Sequence, residues 1–176
     1  MTALRATLAA AASLASLLAG CASLPAPDAA PALEGRLAVQ VEGQPERGFS
    51  AGFELRGHAD AGRLDLNGPL GARAAQARWD RDGVVLDSGG QTRRFADLDD
   101  LAREALGESL PLAALFDWLR GQPWPARPHA PRSDGGAGFE QLGWRIDTSG
   151  HGEGRLVAQR LAPPTVTVRV RLEAPG

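Results

Sequence analysis

The sequence predicts a mainly β (α+β) domain, a curled single-layer antiparallel sheet with a helical lid. Three observations carry this. Apolar and polar residues alternate with period two over two separate stretches, residues 35–86 and 142–172. Between them the apolar spacing becomes helical over two short segments, residues 98–105 and 112–119. Only one face of each strand is apolar, so the sheet has a dry side and a wet side, and the two amphipathic segments must cover part of the dry side.

In chain order, Leu37, Val39 and Val41 alternate with Arg36, Ala38 and Gln40 from Gly35 onward. After a polar turn at residues 43–47, Phe49, Ala51, Phe53 and Leu55 repeat the pattern. A second turn, residues 57–62, leads to Leu64 and Leu66. Ala75, Ala77 and Trp79 then share a face, residues 80–83 turn tightly, and Val84 and Leu86 follow. Strict alternation joined by short Gly/Asp turns indicates hairpins in a meander. Asp97 is the expected N-cap of the first helix, with Asp99 and Asp100 where the helix dipole favours acids. Leu98, Leu101, Ala102 and Ala105 form its stripe, and Gly107 supplies a left-handed C-terminal residue. The second helix starts near Ser109 with Pro111 in its first turn. Its stripe is Leu112, Leu115, Phe116 and Leu119, Arg120 sits in its last turn, and Gly121 and Pro123 end it. Residues 123–138 form a long irregular crossing. Strands resume with Leu142, Trp144 and Ile146, then residues 156–161. In the last strand Val166, Val168, Val170 and Leu172 oppose Thr165, Thr167, Arg169 and Arg171.

The N-terminus sets the compartment. Residues 1–20 carry one charged side chain, Arg5, and an Ala/Leu-rich run too short to span a bilayer but suited to a secretory signal. The run ends in Leu18-Ala19-Gly20-Cys21, which resembles the lipobox of bacterial lipoproteins. That resemblance implies cleavage before Cys21, a diacylglyceryl group on its sulfur and an N-acyl group on its new amine, with no other cofactor. Several chains on one residue give firm membrane attachment. In enteric lipoproteins an aspartate after the cysteine usually means retention at the inner membrane, so by the same resemblance Ala22 implies export to the outer membrane. Cys21 is the single cysteine, so the fold rests on its core without disulfides. The expected division is a signal peptide over 1–20, a lipid anchor and flexible Ala/Pro tether over 21–33, and one domain over 34–176. Removing the signal leaves roughly 155 residues, enough for a core. The net charge is −2, every basic residue is arginine, and no basic stripe interleaves with aromatics, which argues against nucleic-acid binding.

Few motifs suggest chemistry. Gly48-Phe49-Ser50-Ala51-Gly52 matches the G-x-S-x-G string of hydrolases, which requires the serine on a sharp strand-to-helix turn. Here the strand pattern runs through the motif and puts Ser50 mid-strand, opposite the phenylalanines, so the match reads as chance. His58, His129 and His151 sit far apart in Gly/Ala/Pro-rich turns, none at a metal-ligand spacing, and read as surface histidines. No carboxylate dyad stands out. Pro69-Leu70-Gly71, between two strands, marks a turn in which a large apolar residue must pack inward or meet a partner. Trp118 lies at the edge of the second helix's stripe, where a lid meets an opening.

These pieces together resemble the LolB family, the outer-membrane lipoprotein receptors of the Lol sorting system, over about residues 34–172. The resemblance is carried by Gly35-Arg36-Leu37, FSAGFELRG at residues 49–57, Pro69-Leu70-Gly71 and Leu110-Pro111. It is extended by Trp118-Leu119-Arg120-Gly121-Gln122-Pro123 and Gln141-Leu142-Gly143-Trp144. It implies an incomplete, curled antiparallel β-barrel whose lid covers an apolar cavity. It further implies a monomeric, non-enzymatic receptor facing the periplasm. This receptor accepts triacylated lipoproteins from a LolA-like periplasmic carrier and inserts them into the inner leaflet of the outer membrane. The family's protruding loop leucine carries over to Leu70, flanked by Pro69 and Gly71. The chain departs from the pattern at Gly68, where the family more often has asparagine. The expected lining of the acyl cavity is Leu37, Val39, Phe49, Phe53, Leu64, Leu66, Leu115, Phe116, Trp118, Leu119, Trp144 and Val168. The rival readings are a structural scaffold lipoprotein, with side chains filling the sheet, and a lipid-linked serine hydrolase using Ser50.

Overall fold

The computed structural model describes residues 32–106 and 110–173. The signal, Cys21, the expected tether as far as Pro31, Gly107 and Ser109 lie outside the described residues, as does the side chain of Ala105. Six strands come first: β1 (Leu33–Val41), β2 (Phe49–His58), β3 (Ala61–Asn67), β4 (Arg73–Asp80), β5 (Gly83–Ser88) and β6 (Gln91–Phe95). Helices α1 (Leu98–Leu106) and α2 (Leu112–Trp118) follow. The chain finishes with β7 (His129–Pro131), β8 (Gly138–Gln141), β9 (Trp144–Asp147), β10 (Arg155–Arg160) and β11 (Val166–Leu172).

All eleven strands join one antiparallel sheet, ordered β6-β5-β4-β3-β2-β1-β11-β10-β9-β8-β7. The first and last strands are neighbours, so two meanders, one on each side of the helices in sequence, fuse along β1–β11. The register matches apolar residues on one face: Leu37 with Val170, Val39 with Val168, Phe53 with Leu66, Leu64 with Ala77 and Trp79 with Val84. Twist curls so wide a sheet, and the edges β6 and β7 do not pair with each other, which leaves the barrel incomplete. The edges are blunted in different ways. β6 exposes Gln91, Thr92, Arg93 and Arg94, while β7 has three residues and ends in Pro131.

The helices lie over the dry face. The Asp97 carboxylate accepts the Asp100 backbone N–H at 2.8 Å, the expected N-cap of α1. α2 ends where Gly121 adopts a left-handed backbone (φ 74°). The Gly121 N–H donates to Trp118 O at 2.8 Å and the Gln122 N–H to Asp117 O at 3.0 Å, the paired bonds of a glycine C-cap. Every strand, helix and buried core residue described lies between Leu33 and Leu172.

The structure differs from the expectation in five places, one of which is that α2 begins at Leu112 with Pro111 as its N-cap and not near Ser109 with Pro111 in its first turn. β1 begins at Leu33, ahead of the expected strand start at Gly35 and one residue before the expected domain boundary. β6 goes beyond the alternation in the sequence, because QTRRF presents almost no apolar face and is held by its ladder to β5. The irregular crossing contains the short strand β7. Leu142 is not in a strand with Trp144 and Ile146: it and Gly143 form a two-residue hairpin turn between β8 and β9, with φ of 55° and 77°.

Candidate functional site

An apolar cavity of about 320 Å³ lies between the concave sheet face and the helices, a volume at the lower end of the roughly 300–1,000 Å³ typical of small-ligand sites. The sheet supplies Leu37 and Val39 from β1, Phe49, Phe53 and Leu55 from β2, and Leu64 and Leu66 from β3. Ala75, Ala77 and Trp79 from β4, Leu86 from β5, and Val168 and Val170 from β11 complete that wall. The helical side supplies Leu98, Leu101 and Ala102 from α1, Leu110, and Leu112, Leu115, Phe116 and Leu119 from α2 and its end. These are the inward positions of each period-two strand and the stripes of both helices. Phe116 meets Trp79 edge-on with ring centroids 5.4 Å apart, which seats α2 on β4.

Two lining residues are polar, Ser88 and Arg93. The Ser88 hydroxyl donates to Ala74 O at 3.3 Å. Arg93 reaches from β6 to α1, its Nη1 2.9 Å from Glu104 Oε1, with its guanidinium 5.4 Å from the Phe95 ring centre. So the charge at the cavity edge is tied to the lid helix. The arrangement can hold hydrocarbon but offers no nucleophile beside a base. Ser50 is exposed in mid-strand on the outer face, opposite Ala38, not on a strand-to-helix turn.

Ten of the twelve expected lining residues border this cavity; Trp118 and Trp144 do not. Trp118 is 0% exposed and its ring packs 6.2 Å from that of Trp144, in the core under β8 to β10. The reason is angular. Position 118 lies about 100° from Leu119 around the helix, which turns it from the cavity toward the second meander. The indole Nε1 there donates to Oε1 of Gln141 at 2.8 Å. Gln141, 3% exposed, also accepts the Trp124 N–H at 2.9 Å and donates from Nε2 to Trp124 O and Arg127 O, both at 2.8 Å. One buried amide therefore satisfies its whole bonding capacity and pins the crossing that follows α2. Leu55, Trp79, Leu86, Leu98, Leu101, Leu112 and Val170 were not named as lining, although the same alternation and stripes point to them.

Leu70 is 97% exposed at the tip of the β3–β4 loop. The loop is closed by Gly71 N–H to Gly68 O at 3.0 Å and Gly68 N–H to Ala72 O at 2.9 Å. Gly71 has φ 76° with nothing near its would-be Cβ, so the backbone, not crowding, requires glycine there. Gly68 in place of asparagine still yields this closed loop. Its base is fixed on the wet face, where Asp65 is nearly buried: its carboxylate accepts Gln76 Nε2 at 2.6 Å and lies 2.8 Å from Arg63 Nε and 3.4 Å from Arg73 Nη1. Leu66 and Ala75, paired just inside the loop, line the cavity. The protruding leucine thus sits at the end of a hairpin whose inner face is the cavity wall.

The histidines hold no common site. His58 ends β2, His129 is exposed in β7, and His151, in a turn, lies 3.1 Å from Leu119 O and against Gly121. Among the described residues no group of three or more His, Cys, Asp or Glu could hold a metal ion. Arginines organise the β8–β9 hairpin. Arg132 pairs with Asp134 at 2.6 Å and Asp147 at 3.0 Å, and Arg145 approaches Asp134 and Glu140. The hydrogen bond from Arg132 holds the Asp134 carboxyl well below the usual range. Bonds from Ser133 lower Glu140 and bonds from Ser149 lower Asp147. On α2, burial raises Asp117 and Arg120 opposes it. No described helix is long and apolar enough to cross a membrane.

Comparison with known proteins agrees with this geometry. The family model for outer membrane lipoprotein LolB matches residues 31–173. An outer-membrane lipoprotein LolB of Thiobacillus denitrificans is 39% identical over 153 residues, 80% of this chain and 81% of its own. Those of Chromobacterium violaceum and Bordetella petrii are 35% and 34% identical over 76% and 94% of this chain, and 77% and 91% of their own. With matches that span the whole sheet and both lid helices, the chain belongs to the LolB family of outer-membrane lipoproteins.

Proposed function

We propose that this protein accepts acylated lipoproteins in its apolar cavity from a LolA-like periplasmic carrier and inserts them into the inner leaflet of the outer membrane. In this reading it works as a monomer, is anchored through acylated Cys21, and performs no catalysis. The observation that carries it is the lidded cavity with two polar lining residues, set on a hairpin whose tip presents Leu70 to solvent. A triacylated N-terminus has on the order of forty methylenes at about 0.8 kcal/mol each, so release through water would cost roughly 30 kcal/mol. Transfer must run from cavity to cavity by contact, with direction set by differential affinity. Apolar walls without fixed polar geometry suit cargo that differs in everything but its lipid. A filled sheet, as a scaffold would have, leaves no such cavity.

The test is cargo transfer. The chain from Ala22 on is mixed with carrier loaded with a triacylated lipoprotein, and the acceptor is assayed for bound cargo before and after vesicles are added. Cargo passes to the acceptor and then to vesicles. Leu70→Glu accepts cargo normally and releases it to vesicles at least tenfold more slowly. Failure of the unaltered chain to take cargo from a competent carrier would refute the reading.

A further inference from the structure

Among the described residues three large apolar side chains are exposed: Leu70 at 97%, Leu161 at 50% and Leu142 at 41%. They come from distant parts of the sequence, yet the register puts them at one end of the sheet. Val39 pairs with Phe49, and Gly52, nearby in β2, pairs with Asn67, so the β3–β4 loop carrying Leu70 leaves at the Val41 end of β1. Val41 pairs with Val166, and Val166 with Arg160, so Leu161 turns at the same end. Arg160 pairs with Trp144, which places the Leu142-Gly143 turn there too. By strand order Leu161 stands four strand spacings from Leu70 and Leu142 two more, about 19 Å and 10 Å along the curl.

Leu142 is costly where it is. Its left-handed backbone suits asparagine or glycine in a two-residue hairpin and penalises a Cβ-bearing residue. A side chain 41% exposed recovers little of that by packing. The recess between Leu142 and Leu161 is also lined by His129 and Arg145, with Arg127 and Arg160 beside it. The one acid in that lining, Glu140, is taken up by Ser133 at 2.7 Å and Arg145 at 3.5 Å. Arg145 also faces Asp134 at 3.7 Å, so its charge is matched within the hairpin, and the positive charge that remains beside the recess is that of Arg127, whose guanidinium lies 5.9 Å from the Trp124 ring centre.

We propose that Leu70, Leu142 and Leu161 form a three-point contact with a lipid surface bearing anionic headgroups. One loop alone gives a point about which the domain can swing; three separated tips define a plane and fix how the cavity faces the bilayer. Isolated leucines spread over this distance match a lipid interface, which needs no complementary relief, better than a protein partner, whose anchors cluster in a packed centre. Arg127 beside the recess adds attraction to anionic lipid. The role in aiming cargo rests on the proposed function; the contact itself does not.

The chain from Ala22 on retains the whole described fold and has no cysteine. Leu70→Cys, Leu142→Cys and Leu161→Cys are each labelled with an environment-sensitive fluorophore and mixed with phosphatidylethanolamine/phosphatidylglycerol vesicles. All three labels shift to the blue. Leu142→Glu and Leu161→Glu each weaken vesicle partition about tenfold. Leu142→Gly, which suits the turn, weakens partition while the denaturant midpoint holds or rises. Labels at 142 and 161 that stay water-like while the label at 70 shifts would confine contact to the β3–β4 loop and overturn the proposal. Labels that respond only to carrier would make this a protein-docking surface and overturn it equally. Silence at all three positions while cargo transfer proceeds refutes the rim alone. Absence of cargo transfer refutes the functional reading instead.

Discussion

Replacing Gln141 with leucine separates the structural half of this domain from its cavity. The substitution keeps the volume and removes four hydrogen bonds, two to Oε1 and two from Nε2. The partners are not equally affected. The Trp118 indole N–H is fully buried and has no route to water, so leaving it unpaired costs about 1–3 kcal/mol. The Trp124 backbone groups are half-buried and the Arg127 carbonyl belongs to an exposed residue, so water recovers most of their loss. Together they add about 1 kcal/mol, which better burial of the leucine partly offsets. The expected net destabilisation is about 2–3 kcal/mol, a fall of roughly 1–2 M in the urea midpoint for a domain of this size. Equilibrium urea unfolding followed by tryptophan fluorescence reads it. Trp118→Phe supplies the control, because it deletes the donor and keeps a ring beside Trp144. In the Gln141→Leu background it costs at least about 1 kcal/mol less than alone, since the unpaired N–H is then gone. A loss under about 0.5 kcal/mol for Gln141→Leu, or additive effects in the pair, would refute the claim that this amide holds the crossing through Trp118.

Asp97→Ala removes the N-cap of α1 and lowers stability by about 1 kcal/mol in the same unfolding assay, whereas Asp97→Asn, which can still accept the bond, loses far less. Acid weakens the β8–β9 hairpin. Asp134, Glu140 and Asp147 have folded-state values below their unfolded ones, so their contribution is complete above about pH 4–4.5 and is lost as pH falls through the lowered values. Urea midpoints of the parent between pH 5 and 2.5 therefore fall more steeply than those of Arg132→Met, which releases chiefly Asp134; parallel curves would show that Arg132 does not hold the Asp134 carboxyl down. Ser50→Ala changes stability by less than about 0.5 kcal/mol and leaves cargo transfer intact, because the hydroxyl lies exposed on the outer face; loss of transfer or of any hydrolytic activity would revive the hydrolase reading.

The sequence by itself determined the local content. Alternation in β1 to β5 and β11 is a property of neighbouring residues, as are the Asp97 cap and the Gly121 stop, and each appears in the structure where it was read. The inward residues of those strands and the α2 stripe make up most of the cavity wall for the same reason, although the sequence reading singles out only ten of the residues that line it. Long-range pairing decided the rest. β6 and β7 have little pattern of their own and exist because a neighbouring strand offers them a ladder. Leu142 reads as strand because a two-residue turn preserves period-two phase, so 142, 144 and 146 keep one parity across a reversal of direction that only the pairing of Gln141 with Trp144 reveals. Trp118 left the cavity because a helix edge has two neighbours, and only packing chose Gln141 and Trp144 over the lid opening. The common end shared by Leu70, Leu142 and Leu161 follows from the β1–β11 junction. That contact joins the two ends of the described chain and leaves no periodic trace in the sequence between them.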